Sequence, residues 1–401
     1  MNAYTVKDLM VDADEIIAWR RHLHQYPETF GEEVQTAAFI KETLESMGLK
    51  VIPNVFENGL VAILEGDPTK KCVAIRADMD ALPITEQTGF DFASKHPGKM
   101  HACGHDGHMS IVLGVARALT KNPPPGTVKF IFQPREEKPP GGAKYMVQNG
   151  VLENPDVDAI FGLHVNPNFP VGTIGLKNGT IMAVADDFYL RITGRGGHGS
   201  SPHVTIDPIV VTAESIVALQ SIVSRLNNPM EPLVITFGTI HGGTSQNIIP
   251  DSVEMTGTLR CLNNRTRDIA LDYMRHILRG TTEAWGAHYE LNFLYGYPPL
   301  NNAPEIMDVV RHVIQDLGKQ GVPIQYEEME HSLLAGEDFS YYSQKVPAAY
   351  FMLGCLTEGK KYPWHHSCFN LNEACLPLGV NVMANAISVV ASQEKEMKNE
   401  S

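Results

Sequence analysis

Five side chains able to hold a metal or move a proton fall within residues 100–110, MHACGHDGHMS: His101, Cys103, His105, Asp106 and His108. A thiol, imidazoles and a carboxylate this close form the donor set of a borderline transition metal. The same stretch also reads as a polar loop around a buried cysteine, because short motifs match by chance. The apolar run IVLGVARAL follows. It places the cluster on a loop before a helix running from about Gly107 to Leu119, where the helix field favours a thiolate.

A second stretch, FIFQPREEKPPGGA at 130–143, ends an apolar strand in adjacent carboxylates, Glu136 and Glu137. Neighbours on an extended chain point to opposite sides. One could then ligate a metal while the other takes a proton from an attacking water. Alone, the pair reads equally as a solvated acidic turn. His164 ends the strand-like FGLHV, and His365 stands beside His366 in YPWHHSCFNLNE. A lone histidine at a strand end is commonly structural. These gain weight because a site with two ions needs more ligands than the first two stretches supply.

The elements that must position these residues have two rhythms. Helical patterns span 12–25 and 32–47, ending at Pro27 and Gly48. Strand patterns at 60–66, 71–79, 127–133 and 159–165 alternate with helical ones, as in an α/β sheet layer. From 187 to 296 the order is strand, helix, strand, strand, helix, strand: 187–194, 206–226, 233–240, 252–262, 265–285 and 288–296. That is the split βαβ pattern of a ferredoxin-like α+β (βαββαβ) layer. The expected organisation is a discontinuous α/β domain of 1–184 and 297–401, with 185–296 inserted.

The chain has 401 residues, 43% of them hydrophobic and 19% charged, which is usual for a folded protein of two domains. A formal net charge of −14 argues against sequence-independent binding to nucleic acid or an anionic membrane. No leader-like segment and no apolar run long enough to span a bilayer are read from the sequence. The six cysteines form no regular framework and are expected to be reduced thiols, in a cytoplasmic protein.

Taken in order, the motifs resemble the metal-dependent amidohydrolase family of N-acyl-amino-acid hydrolases (aminoacylases), hippurate hydrolases and plant auxin-amino-acid conjugate hydrolases. They are WRRHLHQYPETFGEEVQTAAFI at 19–40, RADMDALPITE at 76–86, HACGHDGH at 101–108, FQPREE at 132–137 and GGA at 141–143. GRGGHGSSPH at 194–203, GGTSQNIIP at 242–250, GTLR at 257–260, GEDFS at 336–340 and HHSCFNLNE at 365–373 complete the series. HACGHDGH is the most specific.

The resemblance implies a dinuclear-metallopeptidase-like catalytic domain whose inserted domain acts as lid and dimerisation module. It implies two divalent ions (zinc, manganese, cobalt or nickel) held by Cys103, His105, Glu137, His164 and His365, with Cys103 supplying a thiolate able to bridge them. Glu136 would be the general base. His198 would polarise the scissile carbonyl, often across a homodimer interface. Asn247, Arg260 and Gly336 match positions near the substrate's carboxylate and carbonyl. Asp78 would orient a ligand histidine. Each has a plainer reading: a turn for His198, a bend for Asn247, a surface charge for Arg260, a helix cap for Asp78.

The expected substrate is a small N-acylated amino acid. A carboxypeptidase or dipeptidase on the same site is the alternative, and a non-catalytic metal- or ligand-binding protein the rival of another class. Two departures stand out. Arg135 replaces a frequent alanine beside the base, where a cation could shift the base's pKa or contact substrate. At the C-terminal histidine the family usually reads His, a small polar residue, then Pro. Here it is His365-His366-Ser367, which leaves His366 as a competitor.

Overall fold

The computed structural model describes residues 4–9, 11–357, 359 and 361–395. Residues 1–3 and 10, on which the reading of the N-terminus partly rests, lie outside these. The chain divides into two compact units. One comprises Met1–Ile181, Asn301–His331 and Asp338–Ser401, the other Met182–Leu300 and Ser332–Glu337.

The first unit is built on an eight-stranded sheet. Its order is Lys50–Ile52, Leu60–Leu64, Val128–Gln133, Val73–Asp78, Ala159–Pro170, Ala348–Leu356, Thr173–Leu176, Gln325–Glu328. The four strands from Val128–Gln133 to Ala348–Leu356 run parallel. Parallel strands are covered on both faces and read as continuous apolar runs. VAIRAD and VKFIFQ obey this, being buried at every position. Arg76, carried inward with them, bonds through all three of its guanidinium nitrogens. Its Nε donates to Gln133 Oε1 at 2.8 Å, Nη1 to Asp78 Oδ2 at 2.8 Å and Nη2 to Asp338 Oδ1 at 2.6 Å.

Helices Ala13–Gln25, His105–Lys121 and Cys375–Ala391 pack against one another beside this sheet. Asp12 opens the first by accepting from the amides of Asp14 and Glu15. The last, CLPLGVNVMANAISVVA, is buried nearly all round, as an apolar interior helix should be. In open α/β sheets the functional crevice lies outside the carboxyl ends of the strands. Asp78 pairs in register with Gln133, so the loops carrying Asp80 and Glu136–Glu137 leave the sheet side by side.

The second unit has a four-stranded antiparallel sheet ordered Leu233–Gly242, Ser252–Cys261, Val184–Thr193, His288–Tyr297. With helices Pro208–Ser221 and Asn264–Trp285, this is the βαββαβ chain order and the 4-1-3-2 strand order of a ferredoxin-like layer. Asp207 and Asn263 cap the two helices, and Gly286 ends the second in the left-handed region at φ 68°.

One expectation is corrected here. Pro208–Leu226, the first of these helices with its π-helical last turn, is long and apolar enough by length and composition to cross a membrane. Its Val211, Leu219 and Ile222 lie in the core of the second unit, while Ile209, Val210 and Val217 are exposed.

The turn into the His105 helix is tight. Gly104 has φ 96°, and a Cβ there would meet Val165 Cγ2 at 2.4 Å. Gly104→Ala should therefore cost about 2–4 kcal/mol from left-handed strain and overpacking together. A fall of several degrees in the thermal unfolding midpoint would show this, whereas an unchanged transition would mean the turn relaxes freely.

Candidate active site

The helix His105–Lys121 starts two residues earlier than the sequence suggests, so His105, Asp106 and His108 belong to its first turn and Cys103 lies just outside. The five motif side chains then divide by their partners. His108 Nε2 accepts from the Val165 amide at 3.0 Å. Its proton is thereby on Nδ1, which donates to Asp78 Oδ1 at 2.7 Å. Both ring nitrogens are used, so His108 has no lone pair to offer. Asp106 is fully buried and binds Arg20 Nε at 2.8 Å and His24 Nδ1 at 2.7 Å through Oδ2. Burial opposes its charge, but Arg20 and His24 hold its carboxyl far below the usual range. His101 is buried with neither ring nitrogen bonded among the described residues, and burial pushes it down to about 3, so it is neutral.

His105 and His164 behave differently. His105 Nδ1 donates to the carbonyl of Asp80 at 2.8 Å, and His164 Nδ1 to that of Val165 at 2.8 Å. Each bond turns Nε2 toward the cluster, where the neutral ring presents a lone pair as a metal-ligating imidazole does. His105 Nε2 is buried without a hydrogen-bond partner among the described residues. His164 Nε2 lies 3.4 Å from Cys103 Sγ.

The structure brings together Cys103, His105 and His164 as one compact donor group, and Cys103, Glu137 and His365 as another sharing the same thiol. His105, Glu136 and Glu137 form a third. A fourth, Asp78 with His105 and His108, is tied up internally, since Arg76 and His108 occupy Asp78.

The Asp78 carboxylate thus orients His108, and the carbonyl of Asp80 orients His105. Asp80 was missed in the sequence, although a D-x-D pair just past a buried strand was visible. Its carboxylate also accepts from the amides of Glu136 at 2.8 Å and Glu137 at 2.9 Å. The two glutamates therefore sit in a bend instead of an extended strand, and both converge on His105. The opposite-sides expectation fails because of this bend.

His365 has φ 64° and donates its amide to Ala102 O at 2.8 Å, which brings Nε2 to 3.2 Å from Glu137 Oε1. His366 Nδ1 accepts from the Cys368 amide at 3.0 Å, and its ring stacks on Tyr362. Arg135 spends Nη1 on Glu57 Oε1 at 2.9 Å.

Burial, with Glu137, Glu136 and Asp78 nearby, pushes the Cys103 thiol well up, against the expected ionisation by the helix field. Burial opposes charge on His105 too, yet Asp78, Asp80 and Glu137 outweigh it and push it up to about 10. Burial likewise raises Glu137, but His365 and His105 hold it below its usual range. All these departures describe one buried pocket short of positive charge. With nitrogen, sulfur and oxygen donors and the orphaned Nε2 of His105, the pocket fits divalent cations of the zinc type.

The remaining candidates belong to the second unit. His198 and Asn247 are brought together on a two-stranded ribbon, with Ile248 opposite His198 and the Gly199 amide on the Asn247 carbonyl at 2.8 Å. The Ser200 amide donates to His198 Nδ1 at 3.2 Å, which leaves the ring proton on exposed Nε2. Arg260 Nη1 donates to the carbonyls of Asp186 and Leu259, both at 3.0 Å. Gly336 has a packing reason of its own, since a Cβ would meet Ala185 Cβ at 2.5 Å and Tyr297 Cδ2 at 2.8 Å. All six cysteines are free.

Comparison with known proteins gives a match to peptidase family M20/M25/M40 over residues 74–389. The chain is similar to an N-acyl-L-amino acid amidohydrolase of Geobacillus stearothermophilus, 45% identical over 73% of this chain and 79% of that protein. It is also similar to thermostable carboxypeptidase 1 of Saccharolobus solfataricus, 40% identical over 97% and 99%. A Bacillus subtilis crystal structure described as a dinuclear metal-binding peptidase of the M20 family superposes with a TM-score of 0.82, at 34% identity over 94% and 98%.

The division of the motif is testable by metal content. His105→Asn should lower the zinc retained per chain. Asp106→Asn should retain it while weakening the pair with Arg20, with a lower unfolding midpoint. Loss of metal from Asp106→Asn in still-folded protein would contradict the division.

Proposed function

Because the chain belongs to peptidase family M20/M25/M40, we propose that it is a metal-dependent amidohydrolase that cleaves N-acyl amino acids to a carboxylic acid and a free amino acid. The observation that carries this reading is the pair of donor groups sharing Cys103, with Glu136 beside them. The Geobacillus relative's name supports the substrate class. In this reading Cys103, His105, Glu137, His164 and His365 hold two divalent ions, with zinc, manganese, cobalt or nickel as candidates. Bound there, the ions would lower the pKa of a water and polarise the amide carbonyl.

The chain's own residues do the rest. Glu136 takes a proton from the attacking water and returns it to the departing amine. Asp80 fixes Glu136 and Glu137 through their amides and His105 through its carbonyl, so three groups keep their spacing through the reaction. His198 offers Nε2–H as donor to the developing oxyanion. Arg260 pairs with the free carboxylate of the amino-acid half; Gly336, packed on Ala185, lies at the same end of the sheet, while Asn247 accompanies His198 at the other.

Residues 185–296 form the inserted lid and dimerisation domain of this reading. His198 of one subunit of a homodimer serves the centre of the other. The exposed Ile209, Val210 and Val217 on an already apolar helix support an interface there. A cytoplasmic location fits six free thiols.

Metal content and amine release from N-acetyl and N-benzoyl amino acids, measured with and without chelator, test the whole reading. Two ions per chain and chelator-sensitive release are expected. Turnover of dipeptides alone would move the assignment to a peptidase, as the Saccharolobus relative is named. Glu136→Gln should keep its metal and lose about 10²–10⁴-fold in kcat. Near-normal turnover would remove Glu136 as the base. Mixed Glu136→Gln and His198→Ala dimers should regain activity. No recovery despite proven subunit exchange would rule out a shared site.

A further inference from the structure

Glu33 stands at the N-terminus of the helix Val34–Ser46 but does not cap it. Glu28 does that instead, accepting from the amides of Gln35 at 3.2 Å and Thr36 at 2.8 Å. The Glu33 side chain, with no exposed surface, turns toward the loop after Val128–Gln133. Its Oε1 accepts from the Arg135 amide at 3.0 Å. Asp80 accepts from the next two amides, those of Glu136 and Glu137. Two buried carboxyl groups thus hold three consecutive amides of one bend. Arg135 is the residue most in need of holding, at φ 61°.

We propose that Glu33 is a positioning residue for the reaction: by holding the Arg135 amide it fixes the left-handed turn that aims Glu136 and Glu137 into the metal pocket. Burial first, and then the neighbouring charge of Asp80, push the Glu33 carboxyl up to about 8. The neutral form is therefore favoured near neutral pH, with Oε1 as acceptor. Glutamine is its isostere in both shape and charge. Aspartate keeps the acid but withdraws the acceptor by one methylene. Leucine removes the acceptor altogether.

The inference rests on the roles proposed above for Glu136 and Glu137, so its test has one arm that needs no turnover. Hydrogen exchange of the peptide spanning residues 134–142 is measured in metal-free protein. kcat and KM for an N-acyl amino acid are measured in metal-loaded protein. Glu33→Leu and Glu33→Asp should speed exchange in that peptide and lower kcat by about 10–100-fold, with KM within about twofold, since binding groups are untouched. Glu33→Gln should match the wild type on both. Unchanged exchange in both damaging variants, or a glutamine variant as impaired as they are, would overturn the proposal. If the leucine variant fails to fold, the comparison of aspartate with glutamine decides alone. A wild type without turnover would sink the proposed function, and the exchange arm would still decide whether Glu33 holds the turn.

Discussion

Acidic groups crowd one end of a parallel sheet: Asp78, Asp80, Glu136 and the Cys103 thiol are buried, with Glu137 nearly so. Taking a carboxylate out of water costs several kcal/mol unless a counter-charge or aimed donors replace the water. The fold supplies replacements selectively. Asp78 has Arg76 and His108; Asp80 has two backbone amides. Glu137 has the half-exposed His365 ring at 3.2 Å, and Cys103 is held in its neutral form by burial and by the negative charges around it. The deficit is therefore localised on the atoms that face His105 and His164. A divalent cation there replaces the missing charge and reverses the conditions that suppress the thiolate.

Selectivity among chemically equal histidines follows from the hydrogen bond each makes at its far nitrogen. A carbonyl partner turns Nε2 of His105 and His164 inward, whereas an amide partner uses up the lone pair of His108. Val165 supplies both kinds, its carbonyl fixing His164 and its amide neutralising His108. One residue of one strand thus sorts two imidazoles whose ring centroids are 4.6 Å apart.

This sorting explains what was legible in the sequence. The cluster HACGHDGH announced itself by residue type and spacing, and the buried strands around it by their apolar runs. Which members of the cluster face inward is decided by Arg20, Asp78 and Val165, all remote in sequence. Residue types alone left every histidine there a candidate, and only the family resemblance chose among them. The Glu136–Glu137 pair failed in another way. Alternation was assumed because a strand precedes it, but Asp80 and a left-handed residue curl the chain first. Glu33 is invisible in the sequence because an acid at a helix start is explained by the helix field alone, and nothing in its vicinity shows that its side chain turns to the amide of Arg135. The ferredoxin-like order of the second unit was easier, since its strands alternate and its helices carry Asp207, Asn263 and Gly286 as caps and stop.

Arg135 shows how a departure from a family pattern can leave the site intact. A non-glycine residue in the left-handed region costs about 1–2 kcal/mol, so the bend is imposed, not preferred. What the loop uses at this position is the backbone: the amide goes to Glu33 and the carbonyl accepts from the Gly142 amide at 3.0 Å. Alanine and arginine offer the same two groups and incur similar strain. The side chain is then left to its surroundings, and here Nη1 pairs with Glu57, itself in the left-handed region at φ 46°. The guanidinium pairs with that carboxylate through Nη1, so the extra cation next to Glu136 is drawn to the rim of the loop. The bend depends on where the chain turns at residue 135, through the backbone bonds made there, and the identity of the side chain is secondary.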